Sequence, residues 1–214
     1  MPLSPDLTHL LSRSPLEVAP HLLGATITSQ DLAAGAESAV SIRLTEVEAY
    51  AGADDPASHA FRGQTARNAS MFGPSSTIYI YFIYGMHFCV NIVCGNEGEA
   101  GAVLLRAGEI TAGEANARQR RPAARNSWDL ARGPARLCAA LGLNREDDGT
   151  RLGGPGSRLT LTLPAEEIPS DRICTGPRVG VPGLGADEVR FPWRFWIDGD
   201  PTVSPYRPAR PRRK

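Results

Sequence analysis

The stretch from residue 40 to residue 94 constrains the fold more than any other, because it holds the clearest strand patterns and most of the reactive side chains. Alternation with a period of two predicts one strand over residues 40–50. Its predicted face carries Val40, Ile42, Leu44, Glu46, Glu48 and Tyr50. This face begins apolar and ends in two carboxylates, which are costly in an apolar interior unless they are paired. We therefore expect its acidic end to open into a polar cavity.

Two β-rich runs, 77–84 and 87–94, follow and are joined through Tyr84-Gly85-Met86-His87, which predicts a β-hairpin. Its aromatic residues are compatible with ordinary sheet packing. Tyr84, however, falls at the predicted tip, where a packing ring would be exposed, and Met86 and His87 keep that tip bulky. A protruding apolar tip is suited to entering a base stack and filling the gap left by a displaced nucleotide.

The other predicted elements fit around this centre. Strands outnumber helices and most appear antiparallel, which favours an α+β fold: a single domain with a curved, mostly antiparallel sheet, flanking helices and a protruding hairpin. We assign this domain to residues 1–200 and expect the Pro- and Arg-rich tail at 201–214 to be disordered. The predicted helices are 14–24, 112–119 and 134–141, with one turn at 67–71, and the further strands are 25–30, 102–107, 159–163 and 193–197.

Composition excludes some functions and leaves others open. The 23 basic and 23 acidic residues balance, which argues against binding of polyanions by bulk charge. The basic residues are arginines except for Lys214, which favours bidentate recognition of phosphate or carboxylate, although a codon bias towards arginine would give the same composition. No apolar run reaches about 18 residues and no secretory signal is visible, so we expect a cytoplasmic protein, nucleoid-associated if bacterial, without a membrane span.

The four cysteines lack a C-x-x-C spacing, and we expect buried, reduced thiols with no metal and no cofactor. The chemistry is then expected from side chains of the central stretch. Activation of water needs an ionised carboxylate near a positive partner, and Arg106, at the end of an apolar strand, is the candidate partner. The alternation does not choose between Glu46 and Glu48.

Aromatic and amide side chains complete the predicted cavity. Tyr50, His59 and Tyr81 are suited to form a cage that stacks on a planar, electron-poor base, although His59 alone would more often be structural. Asn91 lies on an apolar strand, where its amide must find partners. It either bonds to a neighbouring turn or lines the cavity and selects among ligand substituents.

Ordered motifs along nearly the whole chain resemble the alkyladenine (3-methyladenine) DNA glycosylases, monofunctional base-excision enzymes that remove N-alkylated and deaminated purines. The motifs are H-L-L-G, T-E-V-E-A-Y, D-D-P-A-S-H-A-F-R-G, T-A-R-N-A-S-M-F-G-P, I-Y-F-I-Y-G-M-H-F-C-V-N, G-A-V-L-L-R-A-G-E, G-P-A-R-L-C-A-A-L-G, P-R-V-G-V and P-W-R-F-W. The sequence departs from the usual pattern at Ser75 and Ser76, where a Pro-Gly pair is common. The resemblance implies a monomer that acts on double-stranded DNA containing damaged purines and needs no cofactor or metal.

The resemblance also implies roles for individual residues. It selects Glu48 as the general base, with Arg106 and the backbone carbonyl of Val179 helping to hold the attacking water. Tyr50, His59 and Tyr81 would stack around the flipped base, Leu104 would also contact it, and Asn91 would clash with the 2-amino group of guanine. Tyr84 would fill the gap in the duplex. The other implied DNA contacts are Met71, Met86 and His87 against the minor groove and Arg62, Arg67 and Arg136 on phosphates.

The residues also allow three alternative functions or modules. Strand cleavage needs an amine nucleophile, and the only candidates are the terminal Lys214 and Pro2 after removal of methionine, so we expect no lyase activity. The V-P-G-L-G segment at 181–185 matches a helix-hairpin-helix module, but prolines on both sides leave no room for its two helices. A lesion-binding protein without turnover is the alternative from another functional class.

Overall fold

The computed structural model describes residues 3–83 and 85–209. The helices in these residues are α1 (Pro5–Leu11), α2 (Pro15–His21), α3 (Glu114–Arg120) and α4 (Pro134–Leu141). The strands are β1 (Thr26–Ser29), β2 (Val40–Tyr50), β3 (Ile78–Ile83), β4 (His87–Cys94), β5 (Gly101–Ala112), β6 (Leu159–Thr162), β7 (Ile173–Gly176) and β8 (Arg194–Ile197).

The strands form one sheet in the order β3-β4-β5-β2-β1-β6, and all pairs between these named strands are antiparallel. One edge of β2 pairs with β5. Its other edge pairs first with β1 and then, over Glu46–Glu48, with β8, which also pairs with β7. The predicted α+β fold class is confirmed. Strand β2 joins the β3-β4-β5 part of the sheet to the β1-β6 part and to the β7-β8 pair.

Helix ends follow the local sequence. Ser14 and Glu17 form the predicted capping box of α2, but the helix ends at His21, before the predicted end at Gly24. Pro134 begins α4, and Gly142 ends it with a left-handed φ of 70°, as predicted. The main core lies between these helices and the sheet, where Val18 and Leu137 are fully buried with the apolar residues of β2 and β5.

Other predicted bounds need correction. Strand β5 runs five residues beyond its predicted end at 107 and occupies the start of the predicted helix at 112–119. Helix α3 therefore begins only at Glu114, after Gly113 turns the chain with a φ of 74°. Helix α1 and strand β7 were not predicted, and the turn expected at 67–71 is a short 3₁₀ helix at Ala69–Phe72. The four cysteines are free, and three of them are buried, as expected.

The end of the chain packs further than the predicted boundary at residue 200. Thr202 bonds to Thr45 at 2.8 Å, and the backbone amide of Ser204 donates to Glu46 at 2.8 Å. Both Thr202 and Ser204 are buried, so the packed structure extends at least to Ser204. Residues 210–214, the end of the predicted tail, lie outside the described residues, as does Pro2.

None of the helices that the structure describes has the length and apolarity that a membrane crossing requires.

Candidate active site

A cavity of about 530 Å³ opens beside β2, between the β3–β4 hairpin, the start of α4 and the loop at 179–182. Such a volume lies in the range of about 300–1,000 Å³ usual for small-ligand sites. Eight of the predicted site residues line it: Glu48, Tyr50, His59, Tyr81, Asn91, Leu104, Arg106 and Val179. Met71 and His87, predicted to contact DNA, also line it.

The acidic end of β2 faces this cavity because the pairing of β2 with β5 is irregular, which the alternation alone does not predict. The register between β2 and β5 shifts after Leu44 and again after Glu46, which leaves Thr45 and Arg106 as extra residues in their strands. An extra residue reverses the alternation of the side chains that follow it. Leu44 and Val47 consequently both belong to the main core. The predicted single face of β2 is therefore wrong, because Glu46 and Glu48 point away from the core that holds Leu44.

Glu46 is saturated by donors. Its carboxylate accepts hydrogen bonds from Arg106 Nε at 2.8 Å, Arg194 Nε at 2.6 Å, and the backbone amide and hydroxyl of Ser204 at 2.8 and 3.0 Å. The side chain is fully buried and is not part of the cavity lining. This carboxylate is thus fixed in an ion cluster and has little capacity left for a ligand.

Glu48 differs from Glu46 in facing the cavity. Its Oε1 accepts a hydrogen bond from the backbone amide of Val179 at 2.7 Å and lies 3.3 Å from Arg106 Nη1. Its Oε2 accepts one from the Tyr50 hydroxyl at 2.9 Å. Burial raises the pKa of Tyr50 well above its usual value, and the charge of Glu48 raises it further, so Tyr50 remains a donor. Glu48 is therefore an oriented carboxylate beside a positive side chain.

Arg106 connects the two glutamates. Burial opposes its charge, but the neighbouring carboxylates Glu48 and Glu46 outweigh that effect and raise its pKa. The guanidinium is only 7% exposed. Its positive charge is consequently fixed between two carboxylates, one in the ion cluster and one in the cavity.

The rings of the cavity form adjoining walls. His59 and Tyr81 lie with centroids 4.6 Å apart at 87°, and His59 Nδ1 lies 2.9 Å from the Tyr79 hydroxyl. A planar ligand stacked on one of the perpendicular rings therefore meets the other ring at its edge. The removal of water around His59 and the charge of Arg67 lower the pKa of the imidazole, which favours a neutral ring at neutral pH.

Arg178 was missed by the sequence analysis and lies behind the Tyr50 ring. Its guanidinium is 1% exposed and pairs with both Asp55 oxygens, at 2.5 and 2.7 Å. It also donates to the Ala49 carbonyl and lies 4.7 Å from the centroid of Tyr50. This pair fixes the backbone just before Val179 and supports one wall of the cavity.

On the hairpin, Asn91 donates from Nδ2 to the Tyr79 carbonyl at 3.0 Å, across the paired strands. Of the two predicted alternatives, the cavity lining applies, whereas the amide bonds to the paired strand and not to a neighbouring turn. Cys89 also lines the cavity, and burial raises the pKa of its thiol to about 11.

The residues predicted to contact DNA occupy two kinds of position. Met86 is 71% exposed, and His87, Arg62, Arg67 and Arg136 are also exposed. Arg67 donates to the Phe82 carbonyl, and Arg136 pairs with Asp129. Met71 is only 2% exposed, packs with Tyr79 and is a cavity wall, so its side chain offers little surface to a groove. Tyr84 lies outside the described residues.

The combination of a curved antiparallel sheet and an aromatic cavity around an oriented carboxylate is matched by a known family. Residues 9–201 match the family model described as methylpurine-DNA glycosylase (MPG). The chain belongs to this family, and the resemblance inferred from the motifs is confirmed. Its class is that of hydrolases that cleave the N-glycosidic bond between a base and DNA.

Individual relatives match over most of their length. The chain is 52% identical to a protein of Streptomyces avermitilis, over 99% of this chain and 98% of the relative. It is 50% identical to a protein of Leifsonia xyli subsp. xyli, over 91% and 89%, and 48% identical to one of Nocardia farcinica, over 90% and 87%. All three carry the name "Putative 3-methyladenine DNA glycosylase".

Proposed function

We propose that this DNA glycosylase hydrolyses the N-glycosidic bond of alkylated or deaminated purines that have been turned out of double-stranded DNA. The substrate class comprises 3-methyladenine, 7-methylguanine, hypoxanthine and ethenoadenine. The observation that carries the proposal is the position of Glu48, which is held by Val179 and Tyr50 while it lines an aromatic cavity. The names of the relatives support the methylated purine as the central substrate.

In the proposed reaction, the damaged base enters the cavity and stacks on its rings. Glu48 accepts a proton from a water molecule, whose oxygen attacks C1′ of the sugar as the bond from C1′ to the base nitrogen breaks. The electron pair of that bond leaves with the base. Arg106 and the Val179 carbonyl help to hold the water. The negative charge of Glu48 also stabilises the positive charge that develops on the sugar.

Lesion chemistry contributes to selectivity. A base methylated at N3 or N7 already carries a positive charge in the nucleoside, so it departs readily. Hypoxanthine is neutral and depends more on the enzyme. The proposal therefore assigns the cavity two tasks, which are retention of the purine ring and placement of water.

The direct test is release of free base, without divalent metal, from duplexes that each carry one of the four lesions. We expect release by the native protein and a loss of about 10²–10⁴-fold in Glu48→Gln, because the amide cannot accept the proton. Binding of the lesion duplex should survive in this variant. Glu97→Gln, an exposed carboxylate in the loop between β4 and β5, is the matched control and should retain activity.

Two outcomes would contradict the proposal. Unchanged release by Glu48→Gln would remove this residue from the mechanism. Absence of release by the native protein, with tight binding of the same duplexes, would favour the lesion-binding alternative.

DNA contact is proposed for the exposed end of the hairpin and the arginines beside it. Tyr84→Ala, at a position assigned from the sequence alone, should weaken discrimination between damaged and intact duplexes. Equal discrimination by this variant would exclude Tyr84 as the wedge.

A further inference from the structure

Four buried charged side chains lie together at the closed side of the cavity. Glu46 and Glu48 are fully buried, and Arg106 and Arg194 are 7% and 4% exposed. Their formal charges cancel. Arg106 lies between the two carboxylates, whereas Arg194 bonds to Glu46 and to the Ser204 carbonyl.

The four residues differ in their access to the cavity. Only Glu48 and Arg106 of the four line the cavity. Arg194 is fixed by β8, where it pairs in register with Glu48, and its guanidinium lies 4.5 Å from the centroid of the Trp196 ring. Glu46 and Arg194 are therefore out of reach of a ligand in the cavity but close enough to act on Glu48 through their charge.

We propose that Glu46 and Arg194 are positioning residues whose balanced charges set, through Arg106, the pH range in which Glu48 acts as the base. This inference rests on the proposed function. Arg106 Nε lies 2.8 Å from Glu46 and Arg106 Nη1 lies 3.3 Å from Glu48, so its charge is shared between the two carboxylates, and a change of charge at Glu46 or Arg194 changes the net charge that Glu48 faces. Interactions between charges are strong in an interior from which water is excluded.

Several other groups near Glu48 are paired or uncharged, so the charges of Glu46 and Arg194 remain the ones to test. Arg178 is matched by Asp55. Burial raises the pKa of Tyr50, Tyr81 and Cys89, so these groups stay uncharged at neutral pH. The titratable and charged groups that face Glu48 or line the same cavity are Glu46 and Tyr50 from β2, Arg106 from β5, Arg194 from β8, Arg178 and Asp55 from the adjacent loops, Tyr79, Tyr81, His87 and Cys89 from the hairpin, and His59.

The test uses two substitutions of opposite sign. Glu46→Gln leaves a surplus positive charge, which favours the ionised form of Glu48 and should lower its titration midpoint by about one pH unit. Arg194→Gln leaves a surplus negative charge and should raise that midpoint by a similar amount. A merely structural role would not displace the two variants in opposite directions.

The midpoint is measured by the ¹³C resonance of the Glu48 carboxyl group, assigned by its loss in Glu48→Gln. The acid limb of single-turnover 7-methylguanine release provides a second measurement, because this base is already cationic and does not need to be protonated. The resonance reports on the inference even in a protein that releases no base. Failure of the proposed function, which appears as absent release, is thereby distinguished from failure of the inference, which appears as equal midpoints.

Further variants serve as controls and keep the test decisive. Ser204→Ala removes one donor to Glu46 but no charge, and Arg194→Lys keeps the charge, so both should retain the native midpoint. Should either single variant fail to fold, the other carries the test: its midpoint is compared with that of Glu46→Gln/Arg194→Gln, which leaves no unpaired charge and should retain the native midpoint, so equal midpoints in these two proteins would overturn the inference. The inference would be overturned if the titration midpoint of Glu48 moved by about one pH unit in these charge-neutral variants. It would also be overturned if the two single variants moved that midpoint in the same direction.

Discussion

The cavity has two walls of different construction. The β2 wall consists of Glu48, Tyr50 and Val179, with Arg178 packed behind Tyr50, and the charged residues Glu48 and Arg178 are 0–1% exposed. The hairpin wall consists of Tyr79, Tyr81, Cys89 and Asn91, and the same hairpin carries Phe82 and Met86, which are 45% and 71% exposed.

This difference separates two requirements. An attacking water must be placed within fractions of an ångström, and buried, mutually bonded charges provide such precision although their desolvation is costly. Contact with DNA needs accessible surface, which an extended hairpin provides. We infer that substitutions behind the β2 wall act on stability and rate, whereas substitutions in the hairpin act on selection of the lesion.

The largest effect on stability is expected behind the β2 wall. Asp55→Ala leaves the guanidinium of Arg178 buried without its partner, and we expect the free energy of unfolding to fall by about 3–5 kcal/mol. Urea denaturation measures this loss. The neighbouring Asp54 is exposed, and Asp54→Ala should change stability by less than about 0.5 kcal/mol. Similar denaturation midpoints for the two variants would show that the buried pair does not stabilise this wall.

Apart from Glu48 itself, the effect on rate should be largest at the donors to its carboxylate. Tyr50→Phe keeps the ring but removes the hydroxyl that donates to Oε2 at 2.9 Å. A hydrogen bond to a charged group contributes about 1.5–3 kcal/mol, so base release should slow by roughly 10–100-fold while the lesion duplex still binds. Tyr206→Phe, an exposed position, is the control, and equal rates for the two variants would contradict the role of this bond.

The two walls also differ in how well the sequence predicts them. The paired runs of the hairpin are a local pattern, so Tyr81 and Asn91 could be recognised from their neighbours, whereas alternation on β2 indicated Tyr50 but left Glu46 and Glu48 as equal candidates. The β2 wall depends on contacts between distant residues. Arg178 lies in the motif P-R-V-G-V, but that pattern does not predict a buried ion pair, because its partner Asp55 is 123 positions away.

The sequence also could not choose between Glu46 and Glu48, because their environments depend on residues that are distant in the chain. Simple alternation placed both on the face of Val40, whereas the extra residue Thr45 in β2 turns them to the other side. The register of two strands depends on both sequences, so neither strand alone predicts the irregularity. Saturation of Glu46 requires Arg194 from β8 and also Ser204, which lies in the segment from residue 201 that was expected to be a disordered tail.

Selection by the hairpin wall is tested at Asn91. Asn91→Ala removes the amide from the cavity together with its bond to the Tyr79 carbonyl. We expect excision of normal guanine to increase about tenfold relative to hypoxanthine, because the side chain no longer excludes the 2-amino group. Release from matched duplexes measures the ratio. Asn96→Ala, in the exposed loop between β4 and β5, should leave it unchanged, and an unaltered ratio in Asn91→Ala would show that this residue is not the filter.

The smallest effect is expected where the hairpin begins. Ser76 has a φ of 74°. Among the residues that the structure describes, it is the only non-glycine residue with a positive φ. It lies where the sequence resemblance leads us to expect glycine to be common in the family, and its hydroxyl is 3.3 Å from Arg151 Nε. The chain therefore retains a left-handed backbone with a side chain that disfavours it, at a cost of roughly 1–2 kcal/mol.

Comparison of Ser76→Gly with Ser76→Ala separates backbone strain from the hydroxyl, because both variants lose the hydroxyl and only glycine relieves the strain. We expect the glycine variant to be more stable by about 1 kcal/mol, which corresponds to a rise in Tm of about 2–4 °C for a chain of this length. Ser75→Gly and Ser75→Ala form the control pair at a position without a positive φ, where the glycine variant should be the less stable. Equal stabilities of the two Ser76 variants would indicate that this turn carries no strain.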